Sequence, residues 1–179
     1  WGQVLHKVSA RLAHTPAQAN WLLNIKSSEI QGDVRYWPEG NGRVQANLAR
    51  VVLSSANKSA RLATPTESPR AQAWPAMDVH VGELIYQGRL LGRVDMSAHR
   101  AGSSWVLDPF RLTVPEGALK AALTVTLATN GRQEVDSRFD MNTSDVGRSL
   151  ARLGVNDSFR KGEGTLSGTL RWPGSVLDL

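Results

Sequence analysis

The chain has 179 residues, a formal net charge of +5 and no cysteine. The length allows one sizeable hydrophobic core, and the lack of cysteine excludes a disulfide framework and a thiolate metal site. No run approaches the roughly 18 to 20 apolar residues of a membrane-spanning helix, and the start shows no signal-peptide pattern.

The first 53 residues are predicted to form four strands, because apolar and polar residues alternate through four segments. The predicted strands are residues 2–12, 21–26, 29–37 and 43–53. The segment 14–20 contains Pro16 and is predicted to be a loop. Residues 39–42, Glu-Gly-Asn-Gly, indicate a hairpin turn between the last two of these strands.

Residues 54–76 have the composition of a surface connection, rich in Ser, Ala, Thr and Pro and with little periodicity. We expect this connection to separate a first β-sheet portion, residues 1–53, from a second portion, residues 77–179. The second portion begins with a strand at 77–86, in which the alternation slips by one residue at Gly82 and so predicts a β-bulge. Another strand is predicted at 93–98.

Three consecutive segments between Ser104 and Met141 carry the clearest strand pattern. Apolar and polar residues alternate in each segment, and Pro115 and Asn130-Gly131 mark the turns of an antiparallel meander. One face of this meander is therefore apolar and the other polar. The predicted apolar face consists of Val106, Phe110, Leu112, Val114, Leu119, Leu123, Val125, Leu127, Val135, Phe139 and Met141.

A single helix is predicted at residues 143–153. Ser144 is placed to cap it, Asp145 suits the positive end of its dipole, and Gly154 ends it. An apolar stripe at helical spacing is expected to pack on the sheet and to cover part of its apolar face. This stripe consists of Val146, Leu150 and Leu153.

A last strand at 165–172 adds Leu166 and Leu170 to the predicted apolar face. Eight or more strands with one short helix predict a mainly β fold, namely a long twisted antiparallel sheet. The groove or half-pipe type of this sheet is what the family resemblance described below implies. Trp1 is not an initiator methionine, so we expect a segment cut from a longer sheet. Its unpaired edge strands are then expected to pair with the rest of the parent chain or with a second copy.

No catalytic or metal-binding motif is present in the sequence. Gly-x-Ser-x-Gly is absent, and the four histidines lie in different segments without metal-site spacing. Asp78 and His80 alternate with valines, which is typical of a solvated strand face. Tyr36 and Arg35 fall on opposite strand faces, which argues against a stacking platform for nucleic acid. We therefore predict no enzymatic activity, no metal, no cofactor and no nucleic-acid partner.

Two motifs near the end of the chain carry a resemblance to a known family. Residues 142–154 read Asn-Thr-Ser-Asp-Val-Gly-Arg-Ser-Leu-Ala-Arg-Leu-Gly, and residues 160–174 read Arg-Lys-Gly-Glu-Gly-Thr-Leu-Ser-Gly-Thr-Leu-Arg-Trp-Pro-Gly. This helix followed by a Gly-x-Gly-x-Leu-x-Gly-x-Leu-x-Trp-Pro-Gly strand resembles the YhdP branch of the AsmA-like proteins. Residues 74–94 and, less specifically, 20–53 also fit that family's pattern. The segment 155–159 departs from that family's pattern, and we expect this departure to change the shape of a turn.

The resemblance implies a periplasmic part of an inner-membrane protein whose anchor lies outside this sequence. Such proteins are similar to bridge-like lipid transporters, in which a rolled β-sheet forms a hydrophobic groove. YhdP-type proteins are implicated in moving phospholipid toward the outer membrane and in maintaining its permeability barrier. The family's signature residues are structural, so the resemblance implies no catalytic residue.

Three functions remain open from the sequence. The first is a groove whose apolar face, formed by the meander set with Leu166 and Leu170, shields phospholipid acyl chains. The second is a non-catalytic β-scaffold that binds a protein partner through its sheet edges. The third, which is the weakest because the strand faces argue against a nucleic-acid platform, is binding of glycan or nucleic acid by the basic first part. Residues 1–76 contain nine Lys and Arg against four Asp and Glu. Alternation alone also fits an ordinary sandwich core.

Overall fold

The computed structural model describes residues 5–53, 74–127, 133–152 and 161–174. The described residues form ten strands and one α-helix. The strands of the first half are β1 (Ser9–Thr15), β2 (Asn20–Lys26), β3 (Ile30–Trp37), β4 (Arg43–Leu53) and β5 (Ala76–Tyr86). The second half contains β6 (Arg89–Ala101), β7 (Ser104–Val114), β8 (Gly117–Leu127), β9 (Gln133–Thr143), α1 (Val146–Arg152) and β10 (Gly164–Pro173).

All ten strands belong to one open sheet, in which their order follows the sequence from β1 to β10. The predicted mainly β fold with one short helix is confirmed. Every neighbouring pair is antiparallel except β4 and β5, which are parallel, so the sheet is mixed. This pairing joins the two predicted portions, 1–53 and 77–179, into one sheet. Most of the predicted connection between them, residues 54–73, lies outside the described residues.

The predicted strands at 21–26, 29–37 and 43–53 are confirmed within one residue at each end. The first strand differs, since β1 begins at Ser9 instead of residue 2 and continues through Thr15. It ends where Pro16 opens a short 3-10 helix, Pro16–Gln18, within the predicted loop. Proline suits the first turn of a helix because its missing N–H would have no partner there.

Four irregularities interrupt the ladder between β3 and β8. The predicted bulge at Gly82 in β5 is confirmed by a register shift between Val81 and Leu84. Further shifts lie in β4, in β6 and in β7. At the β6 shift, Gly92 has φ +141°, and a Cβ there would lie 2.1 Å from the backbone oxygen of Thr113. Only glycine allows so close an approach of the two strands.

Helix α1 is shorter than predicted and has a different cap. The N–H of Arg148 donates to Asp145 Oδ1 at 3.0 Å, which is the hydrogen bond of an N-cap side chain. The expected cap, Ser144, instead donates its hydroxyl to the backbone oxygen of Glu116 at 3.1 Å. The cap prediction is therefore wrong by one residue, because Ser144 is engaged by the β7–β8 turn.

A compact hydrophobic cluster forms at one end of the strands in the second half. Its buried members are Ala98, Trp105, Leu107, Val125 and Val135. Trp74 packs against this cluster with its ring centroid 4.9 Å from that of Trp105 in an edge-to-face arrangement. Trp105 also donates its indole N–H to the backbone oxygen of Pro75 at 3.2 Å. The segment entering β5 is thereby attached to the sheet.

Candidate functional site

One face of the sheet is apolar across all ten strands. Residues directly opposite each other on paired strands project to the same face. Following these pairs from β1 to β10 gives one unbroken series, which we term the apolar row. It consists of Leu12, Leu23, Val34, Ala46, Val79, Met96, Phe110, Ala121, Phe139 and Gly168. At about 4.8 Å per strand the row spans about 43 Å.

The neighbouring series, one residue along each strand, is entirely polar and projects to the opposite face. We term it the polar row. It consists of Arg11, Asn24, Asp33, Asn47, His80, Asp95, Arg111, Lys120, Asp140 and Ser167. The two rows show that, at this level of the strands, apolar and polar residues are kept in register from β1 to β10.

Most residues predicted for the apolar face lie on it. This group consists of Phe110, Leu112, Val114, Leu119, Leu123, Val125, Val135, Phe139, Met141, Leu166 and Leu170. Their exposure differs widely, since Val125 and Val135 are fully buried whereas Leu166 is 55% and Leu170 is 45% exposed. Leu127 is a residue of β8, but its side chain lies outside the described part of the chain.

The placement of Val106 corrects the sequence analysis. Val106 pairs with Thr124, which pairs with Asp136, so Val106 projects to the polar face. The cause is the irregularity in β7, where one extra residue between Leu107 and Phe110 reverses the alternation. Leu107, and with it Trp105, therefore shares the face of Phe110. The Asp-Pro dipeptide inside the strand was the signal for this, since proline within a strand is typical of a bulge.

The first four strands contribute apolar residues that were not predicted as part of the site. Leu12 is 61%, Trp21 41% and Tyr36 42% exposed, and all three lie on the apolar face. Their alternation is visible in the sequence, but the pairing of β4 with β5 that aligns them with the meander is not. The face is thus most exposed near the two edges of the sheet, at β1–β3 and at β10.

Two ends of the apolar face are covered. At one end the cover is the tryptophan-containing cluster around Trp105. At the other end helix α1 lies against the sheet through Gly147 and Ser149, which are buried. The predicted stripe is not this contact side, because Val146 and Leu150 are only half-buried and Leu153 lies outside the described residues. The helix does cover the sheet, but through smaller and more polar residues than predicted.

Polar contacts attach α1 to the sheet. Ser149 and Thr143 share a buried hydroxyl hydrogen bond of 2.7 Å. Arg152 forms two hydrogen bonds of 2.8 Å with the carboxylate of Glu116, whose side chain is 6% exposed. These bonds lower the pKa of Glu116. Beneath the helix remains a cavity of about 60 Å³. Its lining includes Leu91, Leu112, Val114, Leu119 and Met141.

The sequence model of the family described as YhdP protein matches residues 1–179. The chain belongs to the YhdP family. Searches of curated proteins and of solved structures each gave no match. The YhdP family is not a known enzyme family, and no helix among the described residues is long and apolar enough to cross a membrane.

The polar face of this YhdP-family sheet is organised by charge pairs. Asp78 accepts hydrogen bonds from Ser97 and Arg43, both at 2.8 Å, which lower its pKa. His80 contacts Asp95 through Nδ1 at 2.5 Å. Within the described ranges, no group of three or more His, Cys, Asp or Glu residues is arranged to hold a metal ion. Asp78 and His80 are thus engaged by neighbours on the sheet.

Proposed function

We propose that the chain forms part of a lipid-conducting groove, in which the apolar face shields phospholipid acyl chains from water. The observation that carries this proposal is the apolar row, which crosses ten strands without a polar side chain. No second sheet covers it among the described residues. A face of this kind offers an acyl chain apolar contact at every strand.

The energetics of lipid transfer explain why a continuous face is needed. Burial of methylene groups contributes roughly 0.8 kcal/mol each, so an acyl chain of about 16 carbons exposed to water costs on the order of 12 kcal/mol. A carrier that keeps the chain covered along the whole path avoids this cost. Such a carrier needs no catalytic residue, and its specificity lies in shape and apolar area.

Membership in the YhdP family supports a location for this role. We place the chain in the periplasm, within a protein anchored in the inner membrane by a part that lies elsewhere. There it contributes to phospholipid transport between the inner and outer membranes and to the permeability barrier of the outer membrane.

A matched pair of substitutions on β10 tests the proposal. Leu166 lies on the apolar face and Thr165 beside it on the polar face, and both side chains are exposed. Neither Leu166→Asp nor Thr165→Asp should therefore unfold the protein. Loss of a leucine contact of about 1.5 kcal/mol corresponds to about tenfold weaker binding of an acyl chain. We expect that loss in Leu166→Asp and no change in Thr165→Asp.

The measurement combines native mass spectrometry of the purified chain with titration of a fluorescent fatty acid. Circular dichroism verifies that both variants keep their strands. The proposal fails if the wild-type chain binds no acyl chain, or if Leu166→Asp and Thr165→Asp bind it equally well.

The second candidate function is a non-catalytic scaffold that binds protein through its sheet edges. Two observations favour it: among the described residues β1 and β10 each have a neighbouring strand on one side only, and Leu12 and Leu166 near these edges are exposed. An unpaired strand is a template for an added strand. In this case the chain binds a partner peptide while the fatty-acid titration shows no saturable binding.

A further inference from the structure

The polar face of β7 to β10 is concave and not flat. A depression of about 550 Å³ lies over these strands, and a neighbouring one of about 610 Å³ shares Asp108, Ala122, Arg138 and Thr169 with it. The short side chain of Ala122 forms the floor, since it pairs with Arg138 on β9 and faces the bulge of β7 on its other side. The depression is therefore created by the bulge and by a small residue opposite it.

Three cationic side chains line the 550 Å³ depression: Arg111, Lys120 and Arg138. Arg111 and Lys120 are directly opposite each other on β7 and β8. Among the residues that the structure describes, no carboxylate lies within ion-pair distance of any of the three. On their other sides Arg111 is opposite Asp95 and Lys120 is opposite Asp140. Directly opposed like charges are unfavourable in a sheet, so an anion bound between Arg111 and Lys120 would be stabilising.

Other charges on the polar face show the contrast. Arg171 forms an ion pair with Asp136 at 2.5 Å, and Arg43 forms one with Asp78 at 2.8 Å. Both pairs join neighbouring strands, as is usual for a solvated face. The three cations of the depression form no such pair among the described residues, which is also true of Arg35 on β3, but they differ from Arg35 in lying together around one depression.

The remaining polar groups of the depression define the ligand further. The hydroxyl side chains of Ser167 and Thr169 lie on β10, on the same face. Asp108 and Asp140 also line the depression, which leaves an excess of one positive charge. This small excess favours a single phosphate group over a long polyanion such as nucleic acid, which the two carboxylates would repel.

We propose that this depression binds the phosphate group of a phosphate ester through Arg111, Lys120 and Arg138. Arginine binds phosphate through parallel N–H donors, lysine supplies a compact charge, and the hydroxyl groups of β10 add donors. All of these side chains are exposed, so the expected dissociation constant is in the millimolar range, about −4 kcal/mol. The site lies on the face opposite the apolar row and does not depend on lipid conduction.

The test is a titration of the isotopically labelled full chain with glycerol 3-phosphate, followed by NMR at constant ionic strength. We expect saturable shifts of backbone amides in β8, β9 and β10. Arg138→Gln and Lys120→Gln should each weaken binding about tenfold. Arg35→Gln is the matched control, because Arg35 of β3 is an exposed cation on the same face and has no ion pair with any residue that the structure describes. The affinity of Arg35→Gln for glycerol 3-phosphate should stay at the wild-type value.

The source of the phosphate group is distinguished by a second arm. Arg138→Gln and Arg35→Gln are compared for binding to vesicles of phosphatidylglycerol and phosphatidylethanolamine. If Arg138→Gln alone loses vesicle binding, the ligand is a lipid headgroup. If Arg138→Gln loses binding to glycerol 3-phosphate but still binds the vesicles, the ligand is a soluble phosphate ester. The proposal is overturned if the wild-type protein shows no saturable shifts, or if Arg35→Gln weakens binding as much as Arg138→Gln.

Discussion

The ion pair between Arg152 and Glu116 is predicted to hold helix α1 on the sheet. Its side chains are 26% and 6% exposed, respectively, so it lies between a surface pair and a buried one. Exposed pairs contribute about 0 to 1 kcal/mol, whereas removing one partner of a buried pair costs about 3 to 5 kcal/mol. Arg152→Met removes the guanidinium and keeps most of the apolar stem. We expect a loss of about 2 kcal/mol in the free energy of unfolding.

The assay is urea unfolding of Arg152→Met, of Glu116→Gln and of the double variant. Residues in direct contact couple by about 0.5 to 3 kcal/mol, and we expect about 1 kcal/mol here. Arg148→Met is the control, because its 3.5 Å pair with Asp145 lies within the helix region and Arg148 is 75% exposed. The reasoning is refuted if Arg152→Met costs no more than Arg148→Met, or if the two single variants are additive.

The same pair predicts a pH dependence with a definite sign. Hydrogen bonds from Arg152 lower the pKa of Glu116 below its ordinary value of 4.5. Below pH 4.5 the unfolded chain therefore takes up a proton at Glu116 that the folded chain still excludes. The stabilisation is complete above about pH 4.5 and is lost as pH falls through the lowered pKa. Glu116→Gln should remove this part of the acid dependence. The measurement is the free energy of unfolding of Glu116→Gln and of the wild type at a series of pH values, and the difference between the two curves gives the contribution of Glu116.

Two further predictions concern the packing and the edges of the sheet. Trp105→Phe removes the indole N–H that donates to the backbone oxygen of Pro75 and reduces the contact with Trp74. We therefore expect the free energy of unfolding, measured with urea, to fall by about 2 kcal/mol. An unchanged unfolding midpoint would contradict the packing described. The edge strands β1 and β10 should allow copies of the chain to associate. The average molecular mass measured by light scattering should then rise with protein concentration, whereas a constant monomer mass would contradict this prediction.

Alternation within single strands made much of the fold predictable. In β8, Leu119, Leu123 and Val125 alternate with polar residues, and the strand lies where this pattern indicated. Such a pattern has a local cause, because successive side chains of a strand project to opposite faces. The existence of strands, the dominance of β structure and most of the apolar face in β7 to β10 follow from it.

The relations between strands were not predictable in the same way. Nothing in the local sequence indicates that β4 pairs with β5 in parallel, since that contact joins segments separated by a long connection. The pair of Glu116 and Arg152 is likewise set by the fold, because the two residues are 36 positions apart in the sequence. The face of Val106 was mispredicted because one extra residue in β7 reverses the alternation, and its effect depends on the partner strands.

The bulges do not interrupt the apolar face, and this bears on its function. Beyond the shift in β4, Val51 still pairs with Ile30 and Leu84. Beyond the shift in β7, Leu107 pairs with Ala98 and Leu123. At these two shifts the neighbouring strands match the irregularity, so apolar side chains remain on one side. The shift in β6 reverses the alternation only in the first two residues of that strand, Arg89 and Leu90. A local core requires good packing only where side chains meet, whereas a path for an acyl chain requires apolar contact at every strand it crosses. Continuity through the irregular part of the sheet is therefore the feature that most favours conduction over a role as scaffold alone.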